Sequence, residues 1–181
     1  MNGYLRRAPL RVTFLALAAA LALTGVTAGT SAAVAEAKCE KANVRTSKLR
    51  NREIRSALRC VVNKERGRNL SPQDQLRKAA QNHTGYMRKK RCLSHQCPGE
   101  PALYERVRRT GYFNGASRYS FGEVIASNRS RSSPRDIVRM WMGSPSHREQ
   151  LMSGGFEHLG VGLDVRSGTG IFTIVLGMRD G

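Results

Sequence analysis

Acidic residues are scarce in this chain. Thirteen Asp and Glu stand against 31 Lys and Arg, giving a formal net charge of +18 over 181 residues. So basic a surface attracts anionic polymers such as cell-wall phosphates, acidic lipid or nucleic acid. Several short signatures are missing as well. Without Gly-x-Ser-x-Gly, a serine-nucleophile hydrolase has no elbow to carry it. Without His-Glu-x-x-His, the helix-borne zinc site of many metalloproteases is excluded. No nucleic-acid-binding motif is present, so nucleic acid as a partner rests on charge alone and is disfavoured. There is no internal repeat. No apolar run reaches the roughly 20 residues that a membrane-spanning helix needs. The longest, Val12 to Val26, is broken only by Thr13, Thr24 and Gly25.

That run has a context of its own. Arg6, Arg7 and Arg11 precede or open it, and Ala33-Val34-Ala35 and Ala35-Glu36-Ala37 follow as small-x-small cleavage sites. Residues 1–37 therefore read as a secretory signal, with no transmembrane span left after cleavage. The leader holds three Arg and one Glu, so residues 38–181 keep a net charge of +16. That length suits one domain with a single core.

Four cysteines follow the leader. An even count in an oxidising compartment points to two disulfides with three pairings open. Nearest-neighbour pairing, Cys39 with Cys60 and Cys92 with Cys97, is preferred. The second would stiffen a very short loop that contains His95.

Helical spacing of Ile54, Leu58, Val61 and Val62 predicts a helix over 50–66, ended by Gly67. Ser71-Pro72-Gln73-Asp74 reads as a capped start of a second helix, with Leu76, Ala79, Ala80, His83 and Met87 on one face. His83 there reads as a packed core histidine. A short helix over 101–110 should turn Leu103, Val107 and Tyr104 inward. Phe121 to Ala126 has the look of a short buried segment bearing one acid, Glu123. Ser133-Pro134-Arg135-Asp136 repeats the capped start. Gly143, in a left-handed conformation, would end that helix, and Ser144-Pro145 would open the next. His147 then falls in a first helical turn, where the helix dipole disfavours an imidazolium. Residues 158–165 and 170–178 alternate as two strands about a Ser167-Gly168 turn. Helices first and strands last argue for an α+β layered domain.

Three groups compete to face His147. They are His95 in the small cystine loop, Glu123 in its apolar segment and Asp136 one helix earlier. A lone buried acid such as Glu123 needs a partner, either a nearby Arg or the histidines. Asp136 is also explained by a capping box alone. Two imidazoles with two carboxylates behind them can hold a divalent metal such as zinc, or poise a water for general-base attack.

The order of these pieces resembles the CAP superfamily of cysteine-rich secretory, antigen 5 and pathogenesis-related 1 proteins, in its bacterial SCP-like form. The carrying residues are Ser94-His95, Gly122-Glu123, Asp136 with Trp141, Ser144-Pro145-x-His147-Arg148 and Gly160-Val-Gly162. The resemblance covers roughly residues 52–181. It implies a three-layer α-β-α sandwich with a central antiparallel sheet, a secreted bacterial protein, and a cleft tetrad carried over to His95, Glu123, Asp136 and His147. In some relatives the two histidines bind zinc. This chain departs from the pattern in three places. Val124 stands for the usual Asn, Asp136 is one methylene shorter than the usual Glu, and 172–177 lacks the usual aromatic and Gln. Two functions follow as expectations. One is a ligand-binding or interaction domain whose cleft takes a lipid or cell-wall component and can hold a divalent metal at His95 and His147. The other is a metal-assisted peptide or ester hydrolase with Glu123 as general base and Asp136 assisting.

Overall fold

The structure, a computed structural model, describes residues 38–129, 131–166 and 168–180. The expected secretory signal, residues 1–37, lies outside the described residues. After a 3-10 turn at Thr46–Lys48, the elements run α1 (Asn51–Arg66), β1 (Ser71–Pro72), α2 (Asp74–Lys90), α3 (Leu103–Arg108), β2 (Tyr119–Arg129), α4 (Pro134–Met142), α5 (Pro145–Met152), β3 (His158–Val165) and β4 (Thr169–Arg179).

The sheet order is β1-β3-β4-β2. β4 pairs antiparallel with both β3 and β2, through registers such as Glu123 with Val175 and Gly160 with Val175. Only the two-residue β1 runs parallel to its neighbour. Alternation along β4 builds both faces, because successive side chains point to opposite sides of a strand. Phe172, Ile174 and Leu176 meet Ile54, Leu58 and Val62 of α1, Ile137 and Trp141 of α4, and Leu151 of α5. Val175 meets Leu76, Ala79 and Ala80 of α2 and Val107 of α3 on the other side. The result is the expected α+β sandwich of three layers, with α1, α4 and α5 on one face and α2 and α3 on the other.

Three local expectations fail. Ser71-Pro72 is a strand rather than a helix cap. Ser71 N–H donates to Glu157 O at 2.8 Å and Gln73 N–H to Leu159 O at 2.9 Å, so the backbone is held by β3 before α2 begins. The matching Ser133-Pro134-Arg135-Asp136 does cap, with Asp136 N–H donating to Ser133 Oγ and Ser133 N–H to Asp136 Oδ2. Gly143 is right-handed, at φ −77°, not left-handed. The break between α4 and α5 is made by Pro145, which has no N–H to give to Trp141 O and forces Ser144 into an extended conformation at ψ 122°. Ser144 takes the N-cap position without a side-chain cap bond. Tyr104 also turns outward, while Arg106 turns inward in its place.

Both disulfides follow the nearest-neighbour pairing. Cys39 joins Cys60 and Cys92 joins Cys97, with Cα separations of 5.6 and 6.0 Å.

Candidate functional site

β2 is the outer strand on its side of the sheet, and its alternation decides what the site contains. Val124 and Ala126 point into the α1/α4/α5 core. Glu123 and Ile125 point the other way, beneath α2 and α3. Trp141 pins the strand from behind, its indole N–H donating to Ile125 O at 2.9 Å.

Glu123 is thereby sunk in the protein, its side chain only 1% exposed. An ionised carboxylate there is costly unless paired and hydrogen-bonded. Arg106 of α3 supplies the pairing, with Nη1 donating to Oε2 at 2.9 Å and Nη2 to Oε1 at 3.2 Å. His95 adds a third contact, Nδ1 to Oε1 at 3.0 Å. His83 of α2 stands behind, its Nε2 3.7 Å from the same oxygen. Burial alone would raise the Glu123 carboxyl. The hydrogen bonds from His95 and Arg106, then the charges of Arg106 and His83, outweigh it and hold the group below its ordinary value. Glu123 is therefore ionised at neutral pH, and His95 Nδ1 is the donor to it. That puts a proton on His95 Nδ1 and leaves Nε2 without a partner among the described residues.

A second buried acid completes the network. Glu100 Oε1 lies 2.7 Å from His83 Nδ1, and its other oxygen accepts from Cys97 N–H at 3.3 Å. Arg106 also donates from Nε to Pro101 O and from Nη2 to His95 O at 2.7 Å. One guanidinium thus ties the cystine loop to the sheet. Sequence reading missed His83, Glu100 and Arg106 as parts of the site. The available signal was Arg106, three residues after Leu103 and beside Val107, an arginine on an inward helix face opposite an acid that needed a partner.

The Cys92–Cys97 link closes this loop. Replacing both cysteines with alanine is expected to cost about 2 kcal/mol, the chain-entropy value for so short a ring, read by urea denaturation. A cost near zero would mean that Arg106 and Glu100 hold the loop unaided.

His147 sits at the third position of α5, half-buried. Burial first, then the charge of His95, pushes its imidazole below the ordinary value. It is neutral at pH 7, as the sequence suggested, with burial and a neighbouring histidine as causes. The two histidines are thus electrostatic neighbours. His95 is 57% exposed at its side chain. Neither His95 Nε2 nor His147 makes a hydrogen bond to any described residue. Asp136 is engaged elsewhere. Its Oδ2 accepts from Ser133, and its Oδ1 pairs with Arg139 at 3.0 Å. The structure thus brings His95 and Glu123 together, puts His147 within electrostatic reach of His95, and gives Asp136 to its helix cap. His158 packs edge-on to Tyr112, whose hydroxyl lies 2.9 Å from its Nδ1. Among the described residues no three His, Cys, Asp or Glu gather where a metal ion could sit.

The family model for cysteine-rich secretory proteins (CAP) matches residues 47–176. The uncharacterized protein YkwD of Bacillus subtilis (strain 168) is 30% identical over 100 residues, which is 55% of this chain and 36% of that relative. The chain therefore aligns with about a third of that relative's length. An outer surface protein from Borrelia burgdorferi superposes with a TM-score of 0.62 at 20% identity, covering 73% of this chain and 97% of that one. An extracellular protein containing a SCP domain from Bacillus anthracis str. Ames gives 0.54 at 24% identity, covering 69% and 39%. At these identities the two structures speak for the fold.

Proposed function

Because the chain belongs to the cysteine-rich secretory protein (CAP) family, we propose that it acts as an extracellular binding domain whose His95–His147 cleft takes a ligand and can hold a divalent metal such as zinc. The observation that carries this reading is the saturation of Glu123. Both its oxygens accept from Arg106, and one also accepts from His95. The carboxylate is placed to orient an imidazole. A carboxylate behind a histidine, with the outer ring nitrogen free, is the usual support of a metal-binding imidazole. His95 Nε2 is such a donor, and the neutral His147 offers a second imidazole with no carboxylate behind it. With no third protein donor beside them, water or the ligand itself would complete the coordination of a bound ion.

The competing reading is a metal-assisted hydrolase with Glu123 as general base. A base at work near pH 7 needs a carboxyl raised toward that pH and a proton within reach. Glu123 is instead lowered and held by a guanidinium, and Asp136 belongs to a capping box. Both features favour binding over hydrolysis. The two disulfides, and the absence of a membrane-spanning helix among the described residues, accord with an extracellular setting. The ligand class proposed for the cleft is an apolar lipid or a cell-wall component.

Zinc titration by calorimetry tests the metal part. The wild-type protein is expected to bind, His147→Ala to bind at least about tenfold more weakly, and Glu123→Gln about 10–100-fold more weakly. Circular dichroism shows whether each variant is folded. Equal affinity in all three proteins would remove the metal from the cleft. Peptide or ester turnover lost in Glu123→Gln would restore the hydrolase.

A further inference from the structure

The His95–Glu123 pair lies at the β2 side of the sheet. At the opposite side, beside β1 and β3, is a separate pocket of about 350 Å³, within the usual range for ligand sites. Its walls are cationic. Arg52, Arg55 and Arg59 stand at i, i+3 and i+7 along α1, one face over about 10 Å of helix. Arg77, from the first turn of α2, closes the other side, and Leu159 and Val161 make the floor apolar.

These cations are poorly neutralised. Arg52 and Arg59 make no hydrogen bond or ion pair with any described residue. Arg77 pairs with Asp74 at 2.9 Å, but that carboxylate is 86% exposed, and an exposed pair adds little. Arg55 is held from behind, Nε donating to Val161 O at 3.2 Å and Nη2 to Gln81 Oε1 at 2.8 Å. Burial, then the charge of Arg77, disfavours its cation. Four guanidinium groups converging on a concave surface with one exposed acid leave an unmet demand for anions. Guanidinium forks match phosphate oxygens two at a time. Three of them at successive turns of one helix match repeating charges along a chain better than a single ion. No residue lining the pocket is aromatic, so it has no platform for stacking bases, as single-stranded nucleic acid would require.

We propose that this arginine pocket binds a linear phosphodiester chain of the polyol-phosphate type, through the phosphates of successive repeats. The site is independent of the cleft reading and shares no residue with it.

The test is fluorescence anisotropy of the disulfide-bonded protein with a tagged poly(glycerol phosphate) oligomer at low salt. Arg52→Ala/Arg59→Ala should weaken binding at least about tenfold and flatten its salt dependence, since fewer counterions are released. Both residues lack partners, so the fold should tolerate the change. Lys89→Ala/Lys90→Ala removes the same net charge at the far end of α2 and should change affinity by less than about twofold. His147→Ala should bind the oligomer as wild type, which separates this result from any failure of the cleft reading. Equal weakening by the two double variants would reduce the effect to diffuse charge and overturn the site. Equal or tighter binding of a thymidylate oligomer of matched charge would overturn the polyol-phosphate assignment.

Discussion

Replacing Arg106 with methionine is expected to cost the fold about 3–5 kcal/mol, the usual loss when one partner of a buried charge pair is removed. Methionine fills much of the same space, so the loss would be electrostatic rather than a cavity. It would strand Glu123, and leave Glu100 without the guanidinium 3.9 Å away. It would also free the His95 and Pro101 carbonyls that the guanidinium now ties down. The pH dependence identifies the cause. In the wild-type protein Glu123 titrates below its unfolded value of about 4.5. The folded state therefore binds fewer protons than the unfolded one, and the stability Glu123 contributes is lost as pH falls below 4.5. In the variant, burial, the largest influence on Glu123, is left much less opposed. The carboxyl then titrates higher than when unfolded, and the variant gains stability relative to the unfolded chain as pH falls. The gap between the two proteins should thus be widest at pH 7 and narrow toward pH 4. Urea denaturation at both pH values measures it. A gap independent of pH would mean packing, not charge, makes Arg106 matter.

This network also marks where the sequence could be read and where it could not. Helices α1 and α4 and strands β3 and β4 were legible because period, cap and glycine agree locally. The Ser-Pro-x-Asp pattern shows the limit. It occurs at Ser71 and at Ser133 with the same local chemistry, yet only the second caps a helix. The difference lies 86 residues away, in the Glu157 and Leu159 carbonyls that capture Ser71 and Gln73. The site behaves likewise. His95, Glu123 and His147 could be named because each is an odd residue in its surroundings. Asp136 could be named too, but its two possible uses were indistinguishable until Ser133 and Arg139 were seen to occupy both oxygens. Arg106 and Glu100 looked like ordinary members of a charged surface in a chain with 31 basic residues. Which arginine is buried depends on how α3 lies over β2, and no local pattern carries that.

The second large effect concerns Gly160-Val161-Gly162. Leu159, Val161 and Leu163 fill the core on one face of β3, so Gly160 and Gly162 face α2. A Cβ on Gly160 would lie 2.0 Å from Arg77 N and 2.1 Å from Leu76 C, and one on Gly162 would lie 2.3 Å from Ala80 C and O. These obstacles are helix backbone, which cannot swing aside as a side chain can. The two glycines let α2 rest on the strand backbone, and that seat sets the depth at which α2 delivers His83 to Glu100 and Glu123. Gly160→Ala is therefore expected to cost at least about 3 kcal/mol, at or above the top of the usual range for overpacking. Gly162→Ala should cost somewhat less, because its nearest approach is longer. Gly154→Ala is the comparison. Its Cβ would meet only the tip of Arg68 at 3.6 Å, and it should change stability by no more than about 0.5 kcal/mol. Since α2 must lift to admit the methyl group, a folded Gly160→Ala protein should also show the His83 ring displaced in its NMR spectrum, while Gly154→Ala leaves it unmoved. If Gly160→Ala costs less than about 1 kcal/mol with the His83 signals unchanged, α2 is not seated on the strand backbone, and the histidine is positioned by its own hydrogen bonds instead.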